Sequence, residues 1–190
     1  MKNLPNQFFY SKEEDRLNVI SHGIGFILSI IGLIFLLNKG LQDFNLLRFL
    51  SFLIYGISLS TMYIASTLYH NSKTPEGRYK FRLFDMVSIY LLIAGSYTPF
   101  TLTVLIDSGG LTLFLLVWVI AFIGIIWKIF TVGSYNISST LLYIFMGGLW
   151  LFFIDAFINE IPQNALMWIY ASASTLSLIH ISEPTRHRYI

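Results

Sequence analysis

Four polar side chains that could do chemistry, His22, Ser66, His70 and Asp85, stand in or beside long apolar stretches of this 190-residue sequence. If those stretches cross a membrane, ionisable groups within them are costly and mark functional sites. Ser66 and His70 are four residues apart, so they share one face of a helix. Neutral imidazole binds Zn²⁺, and a nearby carboxylate can hold a water or accept its proton. The set is therefore consistent with a zinc-dependent hydrolytic centre.

The same side chains also have purely structural explanations. His70 and Asp85 fit interfacial groups at helix ends, with Asp85 capping its helix. His22 fits a polar helix–helix contact with Asn18 or another neighbour, and Ser66 fits a packing residue. Catalytic zinc takes about three protein ligands, which is more than these histidines supply. The residues alone leave both interpretations open.

The elements that must position these residues are apolar runs of membrane-spanning length. The chain is 55% hydrophobic and 12% charged, whereas soluble domains carry about a quarter charged residues. Spanning a bilayer takes about 20 residues per helix. Five runs approach that length, namely Val19–Leu37, Leu46–Tyr69, Val87–Ile106, Leu111–Phe130 and Leu141–Phe157. A sixth run starts at Ala165 and turns polar after Ile179. The sequence predicts an all-α, polytopic transmembrane helix bundle with six helices, the sixth incomplete.

Composition also restricts the partners of the chain. It contains no cysteine, which excludes disulfides and thiolate metal sites. Its formal charge of +2 gives no reason to expect nucleic acid as a partner, so we expect membrane lipid instead. Small residues at helical spacing, such as Gly25, Gly32, Ser58 and Gly95, predict close helix contacts within the bundle.

The distribution of Lys and Arg predicts the orientation of the chain, because cytoplasmic loops carry the excess of these residues. The side that holds the N-terminus has eight of them: Lys2, Lys12, Arg16, Lys73, Arg78, Lys80, Arg82 and Lys128. The opposite side has Lys39 and Arg48. The N-terminus is therefore predicted to be cytoplasmic and to reach the first helix through an interfacial turn. The end of the second helix (His70) and the beginning of the third (Asp85) would then meet in the inner leaflet.

Three blocks of the sequence resemble the haemolysin III family, a bacterial branch of the progestin/adiponectin receptor superfamily. They are EEDRLNVISHGIG (Glu13–Gly25), STLYH (Ser66–His70) and RLFDMVSIYLLIAGSYTPF (Arg82–Phe100). The resemblance implies a seven-helix fold in the plasma membrane, which here means a bacterial inner membrane, with a zinc site in the cytoplasmic leaflet. The wider group to which this family is related includes membrane hydrolases such as the alkaline ceramidases.

Carried over by position, the resemblance gives roles to the polar side chains. His70 would be a zinc ligand, Asp85 would act through the zinc-bound water, and Ser66 would support the site from one turn below the ligand.

The first block adds three further motif residues: Asp15, Asn18 and His22. The family commonly has Glu three residues before the Asn, whereas here Asp15 stands three before and Glu14 four before. The sequence therefore leaves open which of the two carboxylates is the functional one.

The end of the chain departs from the family pattern. The resemblance implies a seventh helix whose His-x-x-x-His pair supplies the other two zinc ligands, and no such pair occurs. Residues 176–186, LSLIHISEPTR, resemble a translated sequencing adapter, the alternative being a divergent native tail. We expect a cytoplasmic segment at 1–17, a membrane domain at 18–175 and a non-native tail at 176–190, so that His180 and His187 are not ligands.

The native reading frame is then expected to continue past Thr175 into an apolar helix bearing two histidines four residues apart. The protein expressed from that native reading frame is called the native-locus protein below. Sequencing the locus checks this expectation, and a native stop codon after Ile190 would contradict it.

Three functional hypotheses follow. The first is that the full-length parent is a zinc-dependent hydrolase of a lipid amide or ester, and that this fragment is inactive. The alternative is a non-enzymatic protein, either a pore-forming haemolysin or channel, or a regulator of membrane energetics. The third is that the fragment has no function, because polar helix faces that lose a partner are expensive to bury.

Overall fold

The computed structural model describes residues 10–42, 44–131, 137–168 and 171. Almost all of them are helical, as predicted for an all-α bundle. The α-helices are α1 (Lys12–Leu41), α2 (Leu46–Asn71), α3 (Pro75–Pro99), α4 (Leu111–Thr131), α5 (Ile137–Gly147) and α6 (Ile154–Glu160). A π-helical segment, Phe100–Val104, and a kinked segment, Ile106–Gly110, connect α3 to α4, and a 3₁₀ segment, Leu149–Phe153, connects α5 to α6.

Within the described residues, five helical stretches are long and apolar enough to cross a membrane. They are Lys12–Leu41, Leu46–Asn71, Pro75–Val104, Ile106–Thr131 and Ile137–Glu160. These stretches match the five predicted spans and confirm a multi-pass membrane protein. Most of the sixth predicted run, from Ala165 to Ile179, lies outside the described residues, although residues 163–168 are helical.

The first helix begins earlier than predicted, at Lys12. Ser11 forms a capping box with Glu14, since the Ser11 hydroxyl accepts from the Glu14 amide at 3.2 Å and the Glu14 carboxylate accepts from the Ser11 amide at 3.0 Å. Such a reciprocal pair satisfies two amides that a helix start leaves without partners. The expected interfacial turn before the first span is therefore helix, and Asp15 lies in its first turn.

The third helix also begins earlier than predicted, at Pro75. Thr74 caps it by accepting from the amide of Gly77 at 3.2 Å. Asp85 thus lies ten residues inside α3, about 15 Å along the helix axis at 1.5 Å per residue. The interpretation of Asp85 as a helix cap, and its placement at the beginning of the helix, are both wrong.

Successive helices run antiparallel, so α1, α3 and α5 begin at the end of the bundle where α2 and α4 finish. We call this end the N-terminal face. Contacts between Asp15 and His70 and between Lys128 and Ser139 join helix ends there. Two cations that were counted as loop residues in predicting the orientation, Arg78 and Lys128, are in fact buried, each with 1% of its surface exposed.

Small residues bring the first three helices into close contact, as the sequence predicts. Gly25 of α1 faces the ring of Tyr63 on α2, and Gly95 of α3 faces the side chain of Ser58 on α2. Gly32 is an exception among the small residues predicted to make close helix contacts, because a Cβ there would meet nothing within 4 Å.

Replacing Gly95 with alanine is expected to destabilise the bundle by about 1–3 kcal/mol, the usual cost of overpacking a close contact. The added methyl would lie 2.5 Å from Ser58 Oγ and 2.7 Å from Ser58 Cβ, and a short side chain cannot move away freely. Thermal unfolding in detergent micelles measures the effect. Gly32→Ala is the matched control, and equal melting temperatures for the two variants would contradict the packing described here.

Candidate functional site

Asp15 joins the first three helices at the N-terminal face. Its Oδ1 lies 2.9 Å from Nδ1 of His70, at the end of α2. Arg78, near the start of α3, donates from Nη2 to both carboxylate oxygens of Asp15 at 2.8 Å. The side chains of His70 and Arg78 are 8% and 2% exposed. Charge-assisted hydrogen bonds of this kind are about twice as strong as neutral ones, so this carboxylate holds both partners in place.

Arg78 also completes the end of α2. Its Nη1 donates to the backbone carbonyls of Tyr69, His70 and Ser72 at 3.2, 3.2 and 3.3 Å. The last carbonyls of a helix have no partner within the helix, so a buried guanidinium satisfies groups that would otherwise be costly. The guanidinium carbon also lies 4.7 Å from the centre of the Tyr69 ring. Arg78 therefore positions His70 in two ways: it donates to the His70 backbone carbonyl, and it holds the Asp15 carboxylate that contacts the His70 ring.

The contact with Asp15 determines which nitrogen of His70 is available. A carboxylate only accepts hydrogen bonds, so Nδ1 carries the proton and, in the neutral ring, Nε2 carries the lone pair. Asn18 Nδ2 lies 3.5 Å from the same Nδ1, but it too is a donor, and the shorter contact to Asp15 prevails. Histidines that bind metals usually donate their other ring N–H to a carboxylate in this way.

Ser66 and Asp85 form a second polar pair beside His70. Ser66 is 5% exposed, and its side chain lies near enough to the partly buried Asp85 carboxylate to interact with it. His70 and Arg82 both act on that carboxylate electrostatically. The structure thus brings together Ser66, His70 and Asp85, the three residues to which the family resemblance assigns chemical roles.

His22 contacts the site by ring packing. Its ring is parallel to that of His70, with 6.0 Å between centroids and an interplanar angle of 2°, and it lies 6.1 Å from the Tyr63 ring. These two rings belong to α2, so His22 makes a contact between α1 and α2. Within the ranges that the structure describes, no group of three or more His, Asp or Glu side chains is placed to hold a metal ion. His180 and His187 lie outside those ranges.

The two carboxylates of the first block have different partners in the structure. Glu14 is used by the capping box, whereas Asp15 contacts His70 and Arg78. Sequence reasoning missed Arg78, which it counted only as a loop cation. No spacing rule marks this residue, because its partners lie on α1 and at the end of α2.

These observations define the class of protein: a polytopic α-helical membrane protein with a partly buried acid–imidazole network at one end of its first three helices. A family model described as Haemolysin-III related matches residues 10–180. The chain is 43% identical over 137 residues to Hemolysin-3 of Bacillus cereus and 39% identical over 145 residues to a Hemolysin-3 homolog of Bacillus subtilis (strain 168). The chain belongs to the haemolysin III family.

These matches cover most of this chain but less of the relatives. They include 72% of this chain and 63% of the Bacillus cereus protein, and 76% and 67% for the Bacillus subtilis protein. The chain thus spans about two thirds of the length of the relatives it matches. No solved structure matches the chain significantly.

Proposed function

We propose that the native-locus protein is a zinc-dependent hydrolase that cleaves an amide or ester bond of a membrane lipid at the N-terminal face. The observation that carries this proposal is the 2.9 Å contact between Asp15 and Nδ1 of His70. It leaves Nε2 as the nitrogen that can bind a metal, in a layer that also contains Asp85 and Ser66. We also propose that this face is cytoplasmic, which the exposed cations Lys12 and Lys80 support.

The residues present fit part of a zinc site. A neutral imidazole backed by a carboxylate is a typical zinc ligand, and His70 has this arrangement. Since catalytic zinc takes about three protein ligands, the proposal requires further ligands from outside the described residues. Zinc, when bound, would polarise a lipid carbonyl and lower the pKa of a water towards neutrality.

The chain's own residues would supply positioning and proton transfer. Asp85, partly buried inside α3, would hold the attacking water and accept its proton, and Ser66 would orient that carboxylate by donating a hydrogen bond to it. Asp15 and Arg78 would keep the ring of His70 in one tautomer and one direction. A polar contact network that fixes the base and the ligand in this way favours hydrolysis over a role in packing alone.

Replacing Asp85 with asparagine in the native-locus protein is expected to slow the release of fatty acid by at least about 100-fold, the usual contribution of a positioned general base. Release would be measured from liposomes containing a lipid amide or a lipid ester. A zinc chelator should abolish it, and added zinc should restore it. Asp107→Asn, which changes an exposed carboxylate in the connection between α3 and α4, is the matched control and should leave the rate unchanged.

The names of the two relatives refer to haemolysis, which favours a pore, a channel or a regulator of membrane energetics as the alternative. In that case the polar layer would line a pathway or respond to the membrane. The same liposomes discriminate between the two functions. Ion conductance that survives chelation, without any release of fatty acid, would overturn the hydrolase proposal.

A further inference from the structure

A cleft of about 890 Å³ opens at the N-terminal face between α1 and the connection from α2 to α3. His70 lines it, so the cleft leads to the candidate site. Its walls also include three exposed cations, Lys12, Arg16 and Lys73, besides the buried Arg78. Its volume falls within the range of ligand pockets in proteins, about 300–1,000 Å³, which is enough for a lipid headgroup.

The cleft carries positive charge that the described residues do not neutralise. Lys12, Arg16 and Lys73 are exposed, and in the described part of the chain the ion pairs are those of Asp15 with His70 and with Arg78. Asp15 is the one carboxylate among the residues lining the cleft, and Arg78 already neutralises it. An anion entering the cleft would therefore meet three exposed cations, and the described carboxylate there, that of Asp15, is already paired with Arg78.

The charged and apolar parts of the cleft follow one another along α1. Lys12 and Arg16 are one turn apart near its start, and Val19 and Ile20 line the cleft one turn further into the span. Ile20 and Ile24 leave 48% and 54% of their surfaces exposed, so this apolar strip continues along the outside of α1. The order, charge first and apolar surface next, is the order of headgroup and acyl chain in a lipid.

We propose that this cleft binds an anionic membrane lipid, with its phosphate or carboxylate headgroup at Lys12, Arg16 and Lys73 and its acyl chain along Val19 and Ile20. The inference rests on the proposed function, because the lipid bound in this cleft would be the substrate class presented to His70. A free anion would use the cations alone, whereas a lipid also uses the apolar strip. The structure therefore favours the lipid.

Lipid binding by the purified chain in detergent micelles tests this inference directly. The probes are phosphatidylglycerol and phosphatidylcholine with the same acyl chains, and native mass spectrometry measures the bound fraction with a zinc chelator present. The unchanged chain is expected to prefer phosphatidylglycerol. The double variant Lys12→Gln/Arg16→Gln should weaken phosphatidylglycerol binding by about 30-fold, given the contribution of each cation near an anionic headgroup, and leave phosphatidylcholine binding unchanged.

The matched control is Lys39→Gln/Lys80→Gln, which removes the same charge from exposed positions outside the cleft. It should retain the preference for phosphatidylglycerol, and equal losses in both double variants would overturn the inference. Inorganic phosphate that binds as tightly as phosphatidylglycerol, without any effect of Ile20→Asn, would also overturn it in favour of a free-anion site. Circular dichroism checks that each variant is folded, since these exposed substitutions should leave the helical signal unchanged.

Because binding is measured without zinc and without hydrolysis, the two proposals fail separately. Lipid preference without fatty acid release would reject only the proposed function. Fatty acid release without any lipid preference would reject only this inference.

Discussion

Replacing Arg78 with methionine is expected to lower the free energy of unfolding by about 3–5 kcal/mol, the usual cost of removing one partner of a buried ion pair. The substitution keeps an apolar chain of similar length but removes every hydrogen bond of the guanidinium. Asp15 would lose its cation, and the carbonyls at the end of α2 would lose their donor. Since 1% of Arg78 is exposed, water does not reach its guanidinium in the folded bundle.

Denaturant or thermal unfolding in micelles measures this loss. Lys80→Met is the matched control, because Lys80 is an exposed cation on the same helix and its removal should change stability by less than about 0.5 kcal/mol. Combining Arg78→Met with Asp15→Asn should cost less than the sum of the two single changes, because both disrupt one network. If the Arg78→Met variant is as stable as the Lys80→Met variant, the network does not hold the three helices together.

Much of the fold could be predicted because the signal is local. A run of about 20 apolar residues defines a span wherever it occurs, so all five described spans were found. The helix starts were predicted less well, since Lys12 and Pro75 begin α1 and α3 outside the apolar runs. Ser11 and Glu14 have the spacing of a capping box, a signal in the sequence that would have placed the start of α1 correctly.

The π-helical and kinked segments between α3 and α4 could not be predicted from apolar runs. Their geometry depends on single positions, such as Gly109, whose φ of 89° is accessible mainly to glycine. The ring of Phe153 lies against that glycine, 3.3 Å from where a Cβ would be. A glycine in a connection is too common a feature for the sequence alone to indicate this arrangement.

The candidate site was predicted in part, because local spacing can be read from the sequence and contacts between distant residues cannot. Ser66 and His70 share a helix face by spacing, and the antiparallel order of the helices brings Asp85 to them. The role of Arg78 depends on contacts between residues far apart in the sequence. The capping box also assigns Glu14 to the helix start, which leaves Asp15 for His70, so this choice was available from the sequence.

Replacing His70 with alanine is expected to remove zinc from the native-locus protein. The proposal makes His70 a ligand whose Nε2 is directed by Asp15, so losing the imidazole removes one of about three protein ligands. Asp15→Asn should weaken zinc affinity by about 10–100-fold, as for other partners of metal-binding histidines. His22→Ala is the control, because the His22 ring packs against His70 and is not proposed to bind the metal.

The zinc content of the purified native-locus protein and of its His70→Ala variant, determined by elemental analysis, tests the central claim most directly. We expect about one zinc per chain in the unchanged protein and in His22→Ala, and none in His70→Ala. Equal stoichiometric zinc with and without the imidazole of His70 would contradict the account.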